Sequence, residues 1–289
     1  MRRHVDISEG TRNQRALKTW NGLELHKTSK HVIVVTQIAK IRAMAREFGT
    51  EIAMLESQSK RPAPTPEASE GDNLSPLDMI DPKTATPAGR RTIQRFQEMT
   101  GSLMYVATYT RFDIAFATNK ASMLMMHAAS EGHVSGAARI IKYLRDNEDL
   151  PLIYDGTQSS HNDDPKLFCF VDSDFGGEPH HDNNPGDLGR KSTGACLIQS
   201  MNGPIFWKSK LQRKVSQASG EAEFRALSYA LKEVVYCIYF LAELGFDVKW
   251  VPIFCDASVA VAQAKRDGLS WVEGTKRYEI ELSAVYQMS

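Results

Sequence analysis

The sequence predicts an α+β (α/β) fold, a mixed sheet with helices packed on it, and three observations carry that prediction. First, the apolar period changes at about residue 166, from helical spacing to short runs of strand type. Leu167-Phe-Cys-Phe-Val171 reads as a buried strand, and 194–199 and 204–208 read as two more, with Asn202-Gly203 between them as a hairpin signal. Second, 221–244 is the longest helical pattern in the chain. Leu227, Ala230, Leu231, Val234, Ile238, Leu241 and Ala242 lie on one side, and Gly245 stands where a helix usually stops. Third, a further strand at 251–255 and a helix at 257–265 follow, so strands and helices alternate as they do when helices cover a sheet.

The first half predicts a different organisation. Residues 32–35, Val-Ile-Val-Val, form a short β-like run. Helical spacing follows at Ile38, Ile41, Met44, Ala45 and Phe48, in a piece too small to be a domain by itself. Six of the 12 prolines (Pro62, Pro64, Pro66, Pro76, Pro82, Pro87) then fall within 57–92, among Ser, Thr, Glu, Asp and Gly. Such a stretch has too little apolar surface to offset its ordering entropy, and it is expected to be a linker. A helical block at 93–158 has three helices: one with Phe96, Met99, Leu103 and Val106 on a face, one over 112–126, and one over 133–144. The cluster Met123, Met125, Met126 fits a packed helical core better than a partner surface. The last piece is 159–289.

Composition limits the function classes. Lys plus Arg is 35 and Asp plus Glu is 35, for a formal net charge of zero, and 42% of residues are hydrophobic. That share supports a real core. Zero net charge gives no overall attraction to nucleic acid, but a local basic face on a neutral chain stays compatible with it. No apolar run reaches the roughly 20 residues of a membrane span. Cys169, Cys196, Cys237 and Cys255 are widely spaced within apolar runs and are expected to be reduced and buried.

Three carboxylates stand out by the element each occupies. Asp172 follows the first strand of the second half and Asp256 follows the strand at 251–255. Strand ends deliver side chains to an open edge, so the two converge if those strands are neighbours. Glu223 lies four residues before Leu227, on the helix face expected to meet the sheet. A carboxylate there is costly unless neutralised, and a divalent cation shared with the two aspartates would do so. Hard oxygen ligands suit Mg²⁺ or Mn²⁺, and paired ions of that kind serve phosphodiester hydrolysis. Plainer roles stay open at this point: a turn at Asp172 and Asp174, a first-turn acid at Glu223, an N-cap at Asp256. His180, His181 and Asp182, in the loop after Asp172, fit a solvated loop better than a metal site.

Several collinear segments are similar to the C-terminal part of a copia-type retrotransposon Pol polyprotein, from the end of the reverse transcriptase through its ribonuclease H domain. Residues 101–117, GSLMYVATYTRFDIAFA, resemble the family's "GSLMYLA…TRPDIAFA", with Phe112 in place of a usual proline. His133 and 138–145, ARIIKYLR, resemble the helix after it. Val171-Asp-Ser-Asp-Phe-Gly-Gly177 resembles "SDADWAGD", Arg190-Lys-Ser-Thr-Gly194 "DRKSTSG", and 205–212 "I.W.SKKQ". Ser219-Gly-Glu-Ala-Glu-Phe-Arg-Ala-Leu227 resembles "SSTEAEYMAL", and Phe254-Cys-Asp-Ala-Ser258 resembles "IYCDNQS".

The resemblance implies a division into a reverse transcriptase remnant (1–56), the proline-rich linker (57–92), a helical connection segment (93–158) and a ribonuclease H-like domain (159–289). It implies metal-binding and catalytic roles for Asp172, Glu223 and Asp256 with a two-ion Mg²⁺ or Mn²⁺ site. The implied partners are an RNA–DNA hybrid and the rest of the polyprotein, and the implied setting is a cytoplasmic virus-like particle, with the nucleus second. The family's polymerase hairpin matches nothing here, so the chain is not expected to be a competent reverse transcriptase. The family's final helix and its fourth carboxylate are also unmatched, because 274–282 resembles an earlier helix and Glu279 and Glu281 align with that one. Three functional readings follow: residual ribonuclease H activity, a non-catalytic nucleic-acid-binding module using Arg190, Lys191, Lys208, Lys210, Arg213 and Lys214 beside Trp207, and a decayed retroelement product.

Overall fold

A computed structural model of the chain describes residues 17–58, 65–66, 80–125, 130–156, 166–176, 191–248 and 251–256. The described residues form two compact units, 17–156 and 166–256.

The first unit carries a four-stranded antiparallel sheet, ordered β1 (Leu17–Trp20), β2 (Leu23–Lys27), β3 (Val32–Thr36), β4 (Leu152–Asp155). Asn21 and Gly22 join β1 to β2, both with positive φ (48° and 72°), the Asn-Gly hairpin signature. β4 comes from more than a hundred residues downstream of β3 and pairs Val34 with Ile153. Five α-helices complete the unit: α1 (Ile38–Glu47), α2 (Gly49–Gln58), α3 (Pro87–Tyr109), α4 (Ala115–Leu124) and α5 (Glu131–Asp146). Their core includes Met44, Phe48, Phe96, Leu103, Ile140 and Leu144, and Met125 packs against it. The expected polymerase remnant and connection segment thus share one sheet and one core.

Two local expectations for this unit need correction. The linker ends before Pro87, because α3 starts there. Thr86 is its N-cap, with its side chain accepting from the Gly89 amide at 3.1 Å, and proline at the first helical position lacks only an N–H that would be unpaired anyway. The helix expected over 112–126 is a short 3₁₀ turn, Phe112–Ile114, followed by α4. Arg111 immediately precedes that turn. It is 2% exposed and holds Asp113 bidentately at 2.9 and 2.7 Å, while its Nη1 donates to the Asn147 carbonyl at 2.9 Å. The Tyr143 hydroxyl donates to the same carboxylate at 3.0 Å. The Arg-x-Asp of the 101–117 segment is therefore a buried structural clamp. His133 is structural too, since its Nδ1 accepts from the Ser130 amide at 2.8 Å at the start of α5.

The second unit is a mixed sheet ordered β7 (Gly203–Leu211), β6 (Thr193–Ser200), β5 (Leu167–Asp174), β8 (Ile253–Cys255), with α6 (Ser219–Glu243) packed on one face. β5 runs antiparallel to β6 and parallel to β8. Strict alternation along β5 buries Leu167, Cys169 and Val171 toward α6 and exposes Phe168, Phe170 and Asp172. Ala226, Leu227, Ala230, Val234 and Leu241 of α6 meet that buried face. Full burial of a Leu or Val side chain such as Leu227 or Val234 contributes roughly 1.5–3 kcal/mol. α6 crosses β6 closely at Gly194, where an added Cβ would lie 3.2 Å from the Ala226 Cβ.

Gly245 (φ +86°) ends α6 in a Schellman arrangement. Its amide donates to Ala242 at 2.9 Å, and the Phe246 amide donates to Leu241 at 3.0 Å. The β6–β7 turn sits one residue earlier than expected. Met201 and Asn202 are its left-handed pair, and Gly203 opposes Ser200 as the first residue of β7. The helix expected at 257–265 lies outside the described residues.

Candidate metal centre

Strand register places the two aspartates. β5 and β8 are adjacent and parallel, with Val171 opposite Cys255, so the next residue on each strand, Asp172 and Asp256, stands at the same carboxyl edge. α6 brings Glu223 to that edge from the covered face, three residues before Ala226 at the Gly194 crossing.

The two glutamates of the Glu221-Ala-Glu223 segment separate cleanly. Glu221 is spent on structure: its carboxylate accepts from the Gln217 amide at 2.8 Å and from Arg225 at 2.7 Å, which secures the first turn of α6. Glu223 has no such use. Its Oε2 is buried and has no hydrogen-bond partner among the described residues. Burial pushes its carboxyl above the ordinary range; the Ser173 hydroxyl opposes this, and the charges of Asp172 and Asp256 add to the rise.

Glu223, Cys255 and Asp256 each offer a ligand atom, all within 4.8 Å of one another. Asp172 stands outside that trio, although its charge is felt at Glu223; its Oδ1 accepts from the Ser173 amide at 2.8 Å. An orphaned, buried oxygen on a half-buried carboxylate, with two more carboxylates nearby, fits a hard divalent cation. Cys255 was read in the sequence only as a buried thiol and not as a possible ligand, because it closes an apolar strand run and carries no spacing motif. Burial pushes Cys169 and Cys196 up to about 12, so they are inert core thiols, as expected, and Cys237 is buried as well. Cys255 departs from that expectation, being only half-buried at the strand end.

The basic candidates distribute along one edge. Lys208 and Lys210 are exposed on β7, Arg213 and Lys214 are exposed in the segment after it, and Lys191 is half-buried just before β6. Arg190, His180, His181, Asp182, Glu279 and Glu281 lie outside the described residues. Arg225 and Lys232 of α6, which face this edge, were not singled out in the sequence, although spacings of four and three through Tyr229 put them on one helical stripe.

Fold and site together define a mixed α+β protein whose second unit gathers carboxylates at the carboxyl ends of adjacent strands. Comparison with known proteins narrows this. No protein-family profile matches the chain. It is 32% identical over 184 residues to the Retrovirus-related Pol polyprotein from transposon TNT 1-94 of Nicotiana tabacum, covering 64% of this chain and 13% of that protein. It is 31% identical over 164 residues to the Retrovirus-related Pol polyprotein from transposon RE1 of Arabidopsis thaliana, covering 56% and 10%. Secreted RxLR effector protein 161 of Plasmopara viticola is 29% identical over 136 residues, 47% of this chain and 86% of that protein. Plant retrotransposon Pol polyproteins are thus homologues of this chain, consistent with a copia-type Pol fragment, and the chain spans about a tenth of their length. Among the described residues no helix is long and apolar enough to cross a membrane.

Proposed function

We propose that the second unit is a ribonuclease H-like domain, that Asp172, Glu223 and Asp256 hold Mg²⁺ or Mn²⁺, and that the site hydrolyses the RNA strand of an RNA–DNA hybrid. One observation carries the reading: Glu223 has an unpartnered, buried Oε2, and its carboxylate offers an oxygen within 4.8 Å of the Asp256 carboxylate. The Pol polyprotein homologues and the sheet order β7-β6-β5-β8 support it. Ions bound there supply an activated water and charge stabilisation at the leaving 3′-oxygen. The chain's own part is to fix the carboxylates: β5 and β8 hold Asp172 and Asp256 side by side, and α6 delivers Glu223 with one oxygen already stripped of water. Magnesium-dependent cleavage of a labelled hybrid, lost in Asp172→Asn, is the expected result. No cleavage with either Mg²⁺ or Mn²⁺ overturns the nuclease reading.

A second reading, a non-catalytic nucleic-acid-binding module, is favoured by the exposed row Lys208, Lys210, Arg213 and Lys214. It expects hybrid binding that weakens steeply with salt and is unchanged in Asp172→Asn. Salt-insensitive binding would rule it out.

A further inference from the structure

We infer that the cleft between the end of β7 and α6 is a phosphate-binding site, separate from the carboxylate edge, that takes the sugar–phosphate backbone of a nucleic acid. The inference rests on the nucleic-acid reading above for its ligand but not on any nuclease chemistry. The cleft encloses about 370 Å³. Lys210, Arg213 and Lys214 form one wall; Arg225 and Lys232 of α6 form the other. Arg225 is committed to Glu221. Among the described residues no carboxylate forms an ion pair with Lys210, Arg213, Lys214 or Lys232; the Glu233 carboxylate beside this cleft is engaged by the Tyr229 hydroxyl. The cations still outnumber the carboxylates around this concavity, and the natural relief of their repulsion is an anion with several acceptor oxygens.

The walls are held in place before any ligand arrives. The Gln212 side chain donates to the Ala222 carbonyl of α6 at 2.8 Å, its amide donates to Ser192 at 2.8 Å, and its Oε1 accepts from the Ser216 hydroxyl at 3.1 Å. These bonds tie the 211–216 segment to α6 and to the residue just before β6, so Arg213 and Lys214 sit on a fixed anchor. The floor is closed by the Gly194–Ala226 contact, and the Tyr229 ring lies under the Lys210 ammonium at 5.9 Å. Register continues the positive charge past the cleft: Lys208 and Lys210 oppose Cys196 and Gly194, so both point to the α6 side of the edge strand β7. A row of cations leading out of a cleft suits a chain of phosphates better than a single free one.

The test uses the full chain in EDTA, where no cleavage takes place, with a fluorescent RNA–DNA hybrid followed by anisotropy across a salt series. Arg213→Glu/Lys232→Glu is expected to weaken binding at least tenfold and to flatten the dependence of log K on log salt by about two. Arg213→Gln/Lys232→Gln, which adds no negative charge, is expected to lie between it and the wild type, and thermal unfolding of all variants checks that they fold. Lys27→Glu/Lys83→Glu, the same charge change on exposed lysines of the first unit, is expected to bind like the wild type. Equal loss in that control would show overall charge alone and overturn the site, as would unchanged binding in the cleft variants. Stabilisation by inorganic pyrophosphate without hybrid binding would assign the cleft to a free polyphosphate and overturn the backbone ligand. Failure of the nuclease reading is seen elsewhere, as absent cleavage by the wild type in Mg²⁺ and Mn²⁺.

Discussion

Replacing Glu223 with glutamine should stabilise the metal-free protein. The substitution keeps the shape, removes a half-buried charge, and relieves repulsion from a carboxylate within 4.8 Å. Two unit charges at that distance repel by about 0.9 kcal/mol in a water-like dielectric and about 3.5 kcal/mol at an effective dielectric of 20. Asp256 is exposed, so screening holds the value near the lower end, about 1 kcal/mol. For a chain of this size that is a rise in Tm of about 3 °C. Circular dichroism melts in EDTA at pH 7.5 would read it. The sign with pH follows from the raised carboxyl of Glu223. Its ionised form is disfavoured in the folded state, so the wild type carries the penalty above the raised pKa and sheds it as pH falls through that value. The gap between wild type and Glu223→Gln should therefore close on acidification. Added Mg²⁺ or Mn²⁺ should reverse the order, because a cation at ten times its Kd stabilises the wild type by about 1.4 kcal/mol and the variant much less. A variant less stable than the wild type in EDTA, or an equal response to the cation in both, would refute the reasoning.

Two other substitutions test the packing that positions these elements. Arg111→Ala should cost roughly 3–5 kcal/mol in denaturant unfolding, because it leaves Asp113 without its bidentate partner and the Asn147 carbonyl without its donor; a loss under 1 kcal/mol would show that the clamp is incidental. Gly194→Val should destabilise the second unit by about 1–3 kcal/mol through collision with Ala226, with Gly194→Ala milder because its single methyl would sit 3.2 Å from the Ala226 Cβ; equal stability of Val and Gly at this position would contradict the close crossing of α6 over β6.

Legibility in the sequence followed how local each interaction is. Strands β5 and β6 and helices α1, α5 and α6 were readable because a buried face imposes its period on neighbouring residues, as the Leu167, Cys169, Val171 alternation shows. The start of α3 was misplaced because Pro87 was counted with the linker prolines rather than as a first helical residue. β1 and β2 were overlooked despite the Asn21-Gly22 hairpin signal. β4 had no comparable local sign: a four-residue strand is recognisable mainly by its partner, and β3 lies more than a hundred residues away.

For the candidate site, the sequence by itself determined the residue types and their elements: aspartates after two apolar strands and a glutamate on the sheet-facing side of a helix. Only the tertiary structure decided which of them meet. The parallel register of Val171 with Cys255 aligns Asp172 and Asp256, the Glu221–Arg225 pair leaves Glu223 as the acid with no ion pair among the described residues, and the same strand end adds the Cys255 thiol. It also decided that Arg225 and Lys232 share a cleft with Lys210 and Arg213. Periodicity specifies a face of one element; the proximity of two faces depends on strand pairing and helix packing across the chain, which no local pattern contains.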